Sequence, residues 1–285
     1  MLTAFLINSF GPLPSHAQID LPLPGVMIEP TAAFSPALVK GLVIDMNHPM
    51  QMDFLIDPSQ LSAQHKQEEY RKLAQYFLAA LTVPEKDLWV NLSPYERNHM
   101  VPQEFGKTQM GRDLLAQDYI LKQLTASLIY PEKELGKQFW QKIYKQAQEQ
   151  LGTTNIPVNT FNKVWIVPDK AVVYEKQGKQ NITAFLVESH LKVMLEEDYL
   201  SKSKNADASS NQIGPQIIRD IVLPAIEQEV NEGKNFANLR QINNALILAT
   251  WYKKRLKESI LGKLYVDQNK TTGVNQEDIQ DNQRI

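Results

Sequence analysis

The sequence predicts an α+β fold: two β-hairpin regions packed with five to six helices, a helical hairpin among them. Three observations predict it. Apolar, β-prone runs bracket turn residues at 38–57 and again at 161–187. Apolar residues recur at spacings of three and four through 108–151 and 236–264, the period of an α-helix. Apolar residues make up 43% and charged residues 22% of 285, the balance of a chain with a real core. One globular α+β domain over residues 37–265 is expected rather than two.

The chain begins with a mostly apolar run, Leu2 to Ile7, broken by Gly11-Pro12-Leu13-Pro14. Ser15 and Ala17 place small residues three before and directly before a cut at Gln18, so 1–17 reads as a possible signal peptide. No Lys or Arg precedes Lys40, which leaves an apolar arm packed on the domain as the competing reading. The run is far short of the ~20 residues that span a bilayer, so no membrane span is expected in the mature chain. A periplasmic or secreted location follows, with a cytoplasmic one as the alternative. Residues 18–36 hold Pro22, Pro24, Pro30 and Pro36; fixed φ and missing N–H groups make this an extended arm.

Leu38–Asp45 and Met50–Asp57 flank Asn47-His48-Pro49, a hairpin signal. Met50, Met52, Phe54 and Ile56 share one face at period two, with Gln51, Asp53 and Asp57 on the other, wet face. Tyr70, Leu73, Phe77, Leu78 and Leu81 predict a helix over 67–81. Asp87 to Leu92 reads as a short strand, and Ser93-Pro94-Tyr95-Glu96 as a helix start. Helices over 108–130 and 132–151, joined by a very short link at Pro131, make the helical hairpin, which is expected to cover a face of one sheet shared by the strands. Val164–Val167 and Ala171–Tyr174 enclose Pro168-Asp169-Lys170 as a second hairpin turn, and 183–187 adds a third strand after a turn at Gly178. Ser189–Leu200 reads as a helix, 201–212 as a mobile polar loop, and 213–231 as a helix broken at Pro224. The longest helix is expected over 236–264, with Lys253, Lys254, Arg255 and Lys257 complementing its negative end. The polar stretch 266–285 reads as a disordered tail.

Composition excludes several chemistries. A net charge of −2 with interspersed signs leaves no basic stripe for nucleic acid. The absence of cysteine removes disulfides, thiolate nucleophiles and Cys-based metal sites. There is no G-x-S-x-G, and Gly106-Lys107-Thr108 lacks the upstream glycine of a P-loop because position 101 is Val. His48 lies near Asp45 and Asp53, but the turn explains it better than a metal does. No cofactor and no metal are expected. Five residues are candidates for a site assembled only in three dimensions: His99, Glu104, Arg112, Asp113 and His190. A pocket holding two of these with perturbed pKa values would mark an enzyme. A flat surface with exposed apolar side chains would mark a binding protein.

Asp87–Glu96, Gly111–Tyr119, Phe161–Pro168 and Phe236–Tyr252 together resemble a family of hypothetical proteins from uncultured bacteria, over most of residues 30–265. That family has no known function, so the resemblance implies no activity and no catalytic residue. It implies chain beyond Ile285, since its members continue past that point. The expectation is a non-enzymatic envelope or secreted protein acting on a protein partner. The alternatives are an exported hydrolase and a cytosolic assembly subunit with residues 1–36 as a docking arm.

Overall fold

The computed structural model describes residues 19, 21–48, 50–59, 63–84, 89–93, 103–129, 134–152, 154, 164–204 and 218–266. The fold is α+β. Strands β1 (Leu38–Asp45), β2 (Met52–Asp57), β3 (Val164–Gln177) and β4 (Asn181–Leu195) form one antiparallel sheet in the order β2-β1-β4-β3. Helices α1 (Ala63–Thr82), α2 (Gln103–Gly106), α3 (Gln109–Ile129) and α4 (Glu134–Leu151) fall between the two hairpins. After β4 come α5 (Glu196–Lys204), a π-helical turn at Ile218–Val222, α6 (Leu223–Glu232) and α7 (Ala237–Val266).

Alternation along the strands aims Val39, Leu42 and Ile44 of β1, and Ala184 and Leu186 of β4, into the core. Met52, Phe54 and Ile56 pack against that core from β2, as their period-two spacing predicts, but Met50 precedes the strand in the turn and is exposed. α7 lies on the sheet, meeting β1, β3 and β4, with α6 beside it on β4, while α1 and α3 pack on α7. The 108–151 helical pair therefore forms an outer layer rather than the cover of the sheet. Leu239, Ile242, Leu246 and Ala249 of α7 are buried, and so are Gln241, Asn243 and Asn244 between them. A helix buried nearly all round belongs at the centre of a fold.

Three local expectations give way to the sheet. Pro168-Asp169-Lys170 does not turn the chain: β3 runs straight through it, and the register shifts between Pro168 and Lys170. β3 is an edge strand, so proline's missing N–H removes no ladder bond there, and the extra residue is absorbed as a bulge. The reversal comes instead at 178–180, where the Gly178 N–H donates to the Asn181 carbonyl at 2.8 Å. Residues 189–195 are strand, not helix, because Leu191, Val193 and Leu195 alternate inward and pair with Pro168, Ile166 and Val164. Only Glu196 onward is helical, with three acids in its first turn. The basic cluster does not complement a helix end, since α7 continues to Val266. Arg255 instead forks onto Glu175 of β3, with Nε 2.9 Å from Oε2. Pro224 sits in the first turn of α6, directly after the π-helical turn. Of the 87–92 strand, Leu92 makes a single bridge to Ile166. Residues 201–204, expected as loop, are the end of α5; the rest of that loop, the leader-like residues 1–17, positions 94–96 and the tail from 267 lie outside the described residues.

The sheet splits. β1 pairs with β4 only from Gly41–Phe185 to Asp45–Asn181. Beyond that point, side chains of α6 and α7 take the strands' free groups. Asn231 donates to the Leu191 carbonyl at 2.8 Å and accepts from the Leu191 N–H at 3.1 Å, as a neighbouring strand does. Glu227 accepts from the Val193 N–H at 2.9 Å. Gln241 and Asn244 donate to the Ala37 and Val39 carbonyls at 2.9 and 3.3 Å. The proline-rich arm, which has neither helix nor strand, is held at the α6–α7 corner. Buried Glu229 accepts from the Thr31 N–H and hydroxyl, both at 2.7 Å, and Arg240 donates to the Phe34 carbonyl at 2.9 Å. A Cβ on Gly233 would lie 2.2 Å from the Glu229 carboxyl carbon, so a larger residue there displaces the carboxylate that holds Thr31.

At the last β1–β4 pair before the split, a Cβ on Gly41 would meet the Ala184 carbonyl oxygen at 2.3 Å. Gly41→Ala is expected to destabilise the fold by about 1–3 kcal/mol, the range for overpacking against fixed structure. The urea midpoint measures it; an unchanged midpoint contradicts the close approach.

Candidate functional site

The four candidate residues that are described share no hydrogen bond or ion pair. His99 lies outside the described residues. Glu104 is exposed on α2 and ion-paired with Lys107 at 2.9 Å. Arg112 donates to the Lys107 carbonyl at 2.7 Å. Asp113 is buried in α3, where the Tyr76 hydroxyl of α1 donates to it in a short bond. His190 sits on β4, with Nδ1 3.1 Å from Asp169 Oδ2, and Nε2 3.6 Å from Glu227 Oε1 and 3.3 Å from Asn231 Nδ2. Among the described residues, no hydrogen bond or ion pair joins any two of the five. His48 is exposed and 3.6 Å from Asp45. Among the described residues no group of three or more His, Asp or Glu side chains is gathered as a metal ion needs.

Asp113 is the perturbed one. Burial pushes its pKa above the usual 3.8, while the Tyr76 hydrogen bond and the charges of Lys72 and Arg112 pull the other way. The Tyr76 phenol is pushed far up by burial and by Asp113. The pair sits between α1 and α3 beside a larger polar cluster. Lys72 Nζ lies 2.8 Å from Glu69 Oε1 and 3.3 Å from Asn238 Oδ1, and the Gln241 amide donates to Glu69 Oε1 at 2.5 Å.

That cluster floors a cavity of about 550 Å³ under the arm. Ile19, Thr31, Phe34 and Pro36 of the arm form one wall; Ile120 of α3 and the start of α7 form others. Gln117 also lines it, one turn beyond Asp113 on α3 and fully buried. Among the described residues neither its Nε2 nor its Oε1 has a hydrogen-bond partner, and the Gln241 Oε1 has none either. Sequence reasoning missed Gln117. The available signal was a carboxamide set inside the apolar stripe of Met110, Leu114, Leu121 and Leu124.

The other face of the sheet is different. Alternation and the bulge at Val187 aim Val172, Tyr174, Phe185 and Val187 outward. Tyr174 and Phe185 are cross-strand partners, and the four side chains are 39, 59, 38 and 65% exposed. At the far end of the same face, Trp165 and Met194 are buried, and the Tyr199 ring of α5 lies 4.5 Å from the Trp165 ring. One half of the outward face is thus covered and the other open. Lys176, Lys192 and the Lys170–Glu188 ion pair (2.8 Å) border the open half.

Compared with family models, curated proteins and solved structures, the chain matches none. This is consistent with a resemblance to proteins of unknown function, and no site residue is carried over from a relative. No helix among the described residues is long and apolar enough to cross a membrane.

Because the folded pKa of Asp113 is raised, its stabilising contribution is full below pH 3.8 and is lost as pH rises through the folded value. Asp113→Asn keeps the shape and removes the charge. Its stability relative to wild type is expected to rise with pH from about 4 and then level off, read by urea unfolding across pH 4–8. A difference independent of pH contradicts the assignment.

Proposed function

We propose that the chain is an exported, non-enzymatic binding protein whose contact surface is the open half of the outward sheet face. The observation that carries this reading is the strip of Val172, Tyr174, Phe185 and Val187, apolar and solvent-facing beside a half that α5 already covers. An apolar strip bordered by charge is the composition of a contact surface rather than of a solvated one. The partner it suits is a protein that lays an apolar strand or helix face along the ribbon and carries acids opposite Lys176 and Lys192. Export rests on the leader-like residues 1–17.

The test uses a photo-crosslinking residue in place of Val187, in cells that make the protein. One discrete adduct is expected, lost on Tyr174→Ser, while the urea midpoint moves by no more than about 0.5 kcal/mol equivalent, as for other surface changes. A label in place of Glu149 on α4 is the control. Equal adducts from both positions, or none from either, contradict the surface. An adduct of twice the 32.5 kDa chain assigns the partner as a second copy. The same material reports the mature start: Gln18 supports export, and an intact Met1 overturns it.

A further inference from the structure

Strand register lays out the open half of the outward face in cross-strand rows. Leu55, Gly41, Phe185 and Tyr174 follow one another from β2 across β1 and β4 to β3. The next row, in the same order, is Asp53, Val43, Thr183 and Lys176. The first row is apolar, and Gly41 adds no side chain between Leu55 and Phe185. The second carries an acid at the β2 edge and a base at the β3 edge, both exposed. Among the described residues neither Asp53 nor Lys176 has a hydrogen-bond or ion-pair partner. Three strand spacings, about 14 Å, separate them, so they cannot pair within one chain.

A second copy of the same face supplies what each edge lacks. Turned over about a two-fold axis that runs along the strands between β1 and β4, it sets its β3 on β2 and its β2 on β3. Asp53 then faces the partner's Lys176, and Lys176 faces the partner's Asp53. Leu55 and Phe185 lie over the partner's Tyr174 and the partner's Gly41. Sheets stacked face to face pack about 10 Å apart, a gap that an Asp and an extended Lys side chain bridge together. The other in-plane axis, across the strands through the Leu55–Tyr174 row, sets Asp53 on the partner's Asp57 and Lys176 on the partner's Val172. Like charges placed opposite each other are costly, so charge selects the first axis. We infer that the outward face binds a second copy of this chain, face to face, in a two-fold β-sandwich. This rests on the contact surface proposed above and names its partner: the acid that Lys176 meets is the partner's Asp53.

Sedimentation equilibrium of the full chain is expected to give twice the 32.5 kDa mass at micromolar concentration. Asp53→Lys and Lys176→Asp each set like charges against each other at both contacts, and each is expected to weaken self-association about tenfold or more. Mixed one to one, the two variants restore opposite charges at both contacts of the mixed dimer. That dimer is expected to form within about threefold of the wild-type affinity. Tyr174→Ser, which removes an apolar contact and no charge, is expected to weaken the wild-type dimer without rescue by mixing. A wild-type chain that stays monomeric at about 100 µM, far above the concentrations at which specific interfaces of ordinary size form, overturns the second copy. A discrete Val187 adduct of any mass other than the dimer's then leaves the contact surface itself standing. A dimer that both charge variants leave intact, or that their mixture fails to restore, also overturns the inference, because its contact lies elsewhere.

Discussion

Polar side chains of α6 and α7 hydrogen-bond to backbone that has run out of strand partners, and most of the structure hangs on that substitution. β1 and β4 are neighbours for only five residue pairs. Past Gly41 and Phe185 the strands part, and each is left with unpaired N–H and C=O groups facing the interior. Asn231 and Glu227 serve β4; Gln241 and Asn244 serve the start of β1. Glu229 and Arg240 extend the same device to the arm. Buried backbone groups must be paired, so the alternative to these side chains is a rearranged sheet. A helix carrying such groups has no free choice of position, which fixes α7 against the sheet and lets α1 and α3 build outward from it.

This explains which parts of the fold were legible in the sequence. Elements whose own side chains decide them read correctly: the alternation of Met52, Phe54 and Ile56, the helical stripes of 67–81 and 108–151, the turn at Asn47-His48. Elements decided by a distant partner did not. Pro168-Asp169-Lys170 has the local chemistry of a turn, yet an edge strand tolerates both the proline and the bulge. Ser189 to Leu195 looks helical until Val164–Pro168 offers it a ladder. The arm has no periodic signal, because Thr31 and Phe34 are gripped through backbone groups that every sequence possesses.

The candidate residues show the same division. His190, Asp113 and Arg112 stood out by type, and type says nothing about convergence. Asp113 proves to be perturbed, but by burial against Tyr76 rather than by a reacting neighbour. Gln117 drew no notice because an amide has no titratable signature. Its interest comes only from being buried without a hydrogen-bond partner among the described residues. The outward strip was invisible for a related reason: Tyr174, Phe185 and Val187 look like core in a strand, and only the one-sided packing of helices leaves them facing solvent.

Amide hydrogen exchange in Asn231→Leu tests the central substitution most directly. The account predicts that the Leu191 N–H loses its protection selectively, while amides in the β1–β4 ladder at 41–45 exchange as in wild type. If Leu191 remains as protected in the variant as before, the side chain is not standing in for a strand, and the account fails.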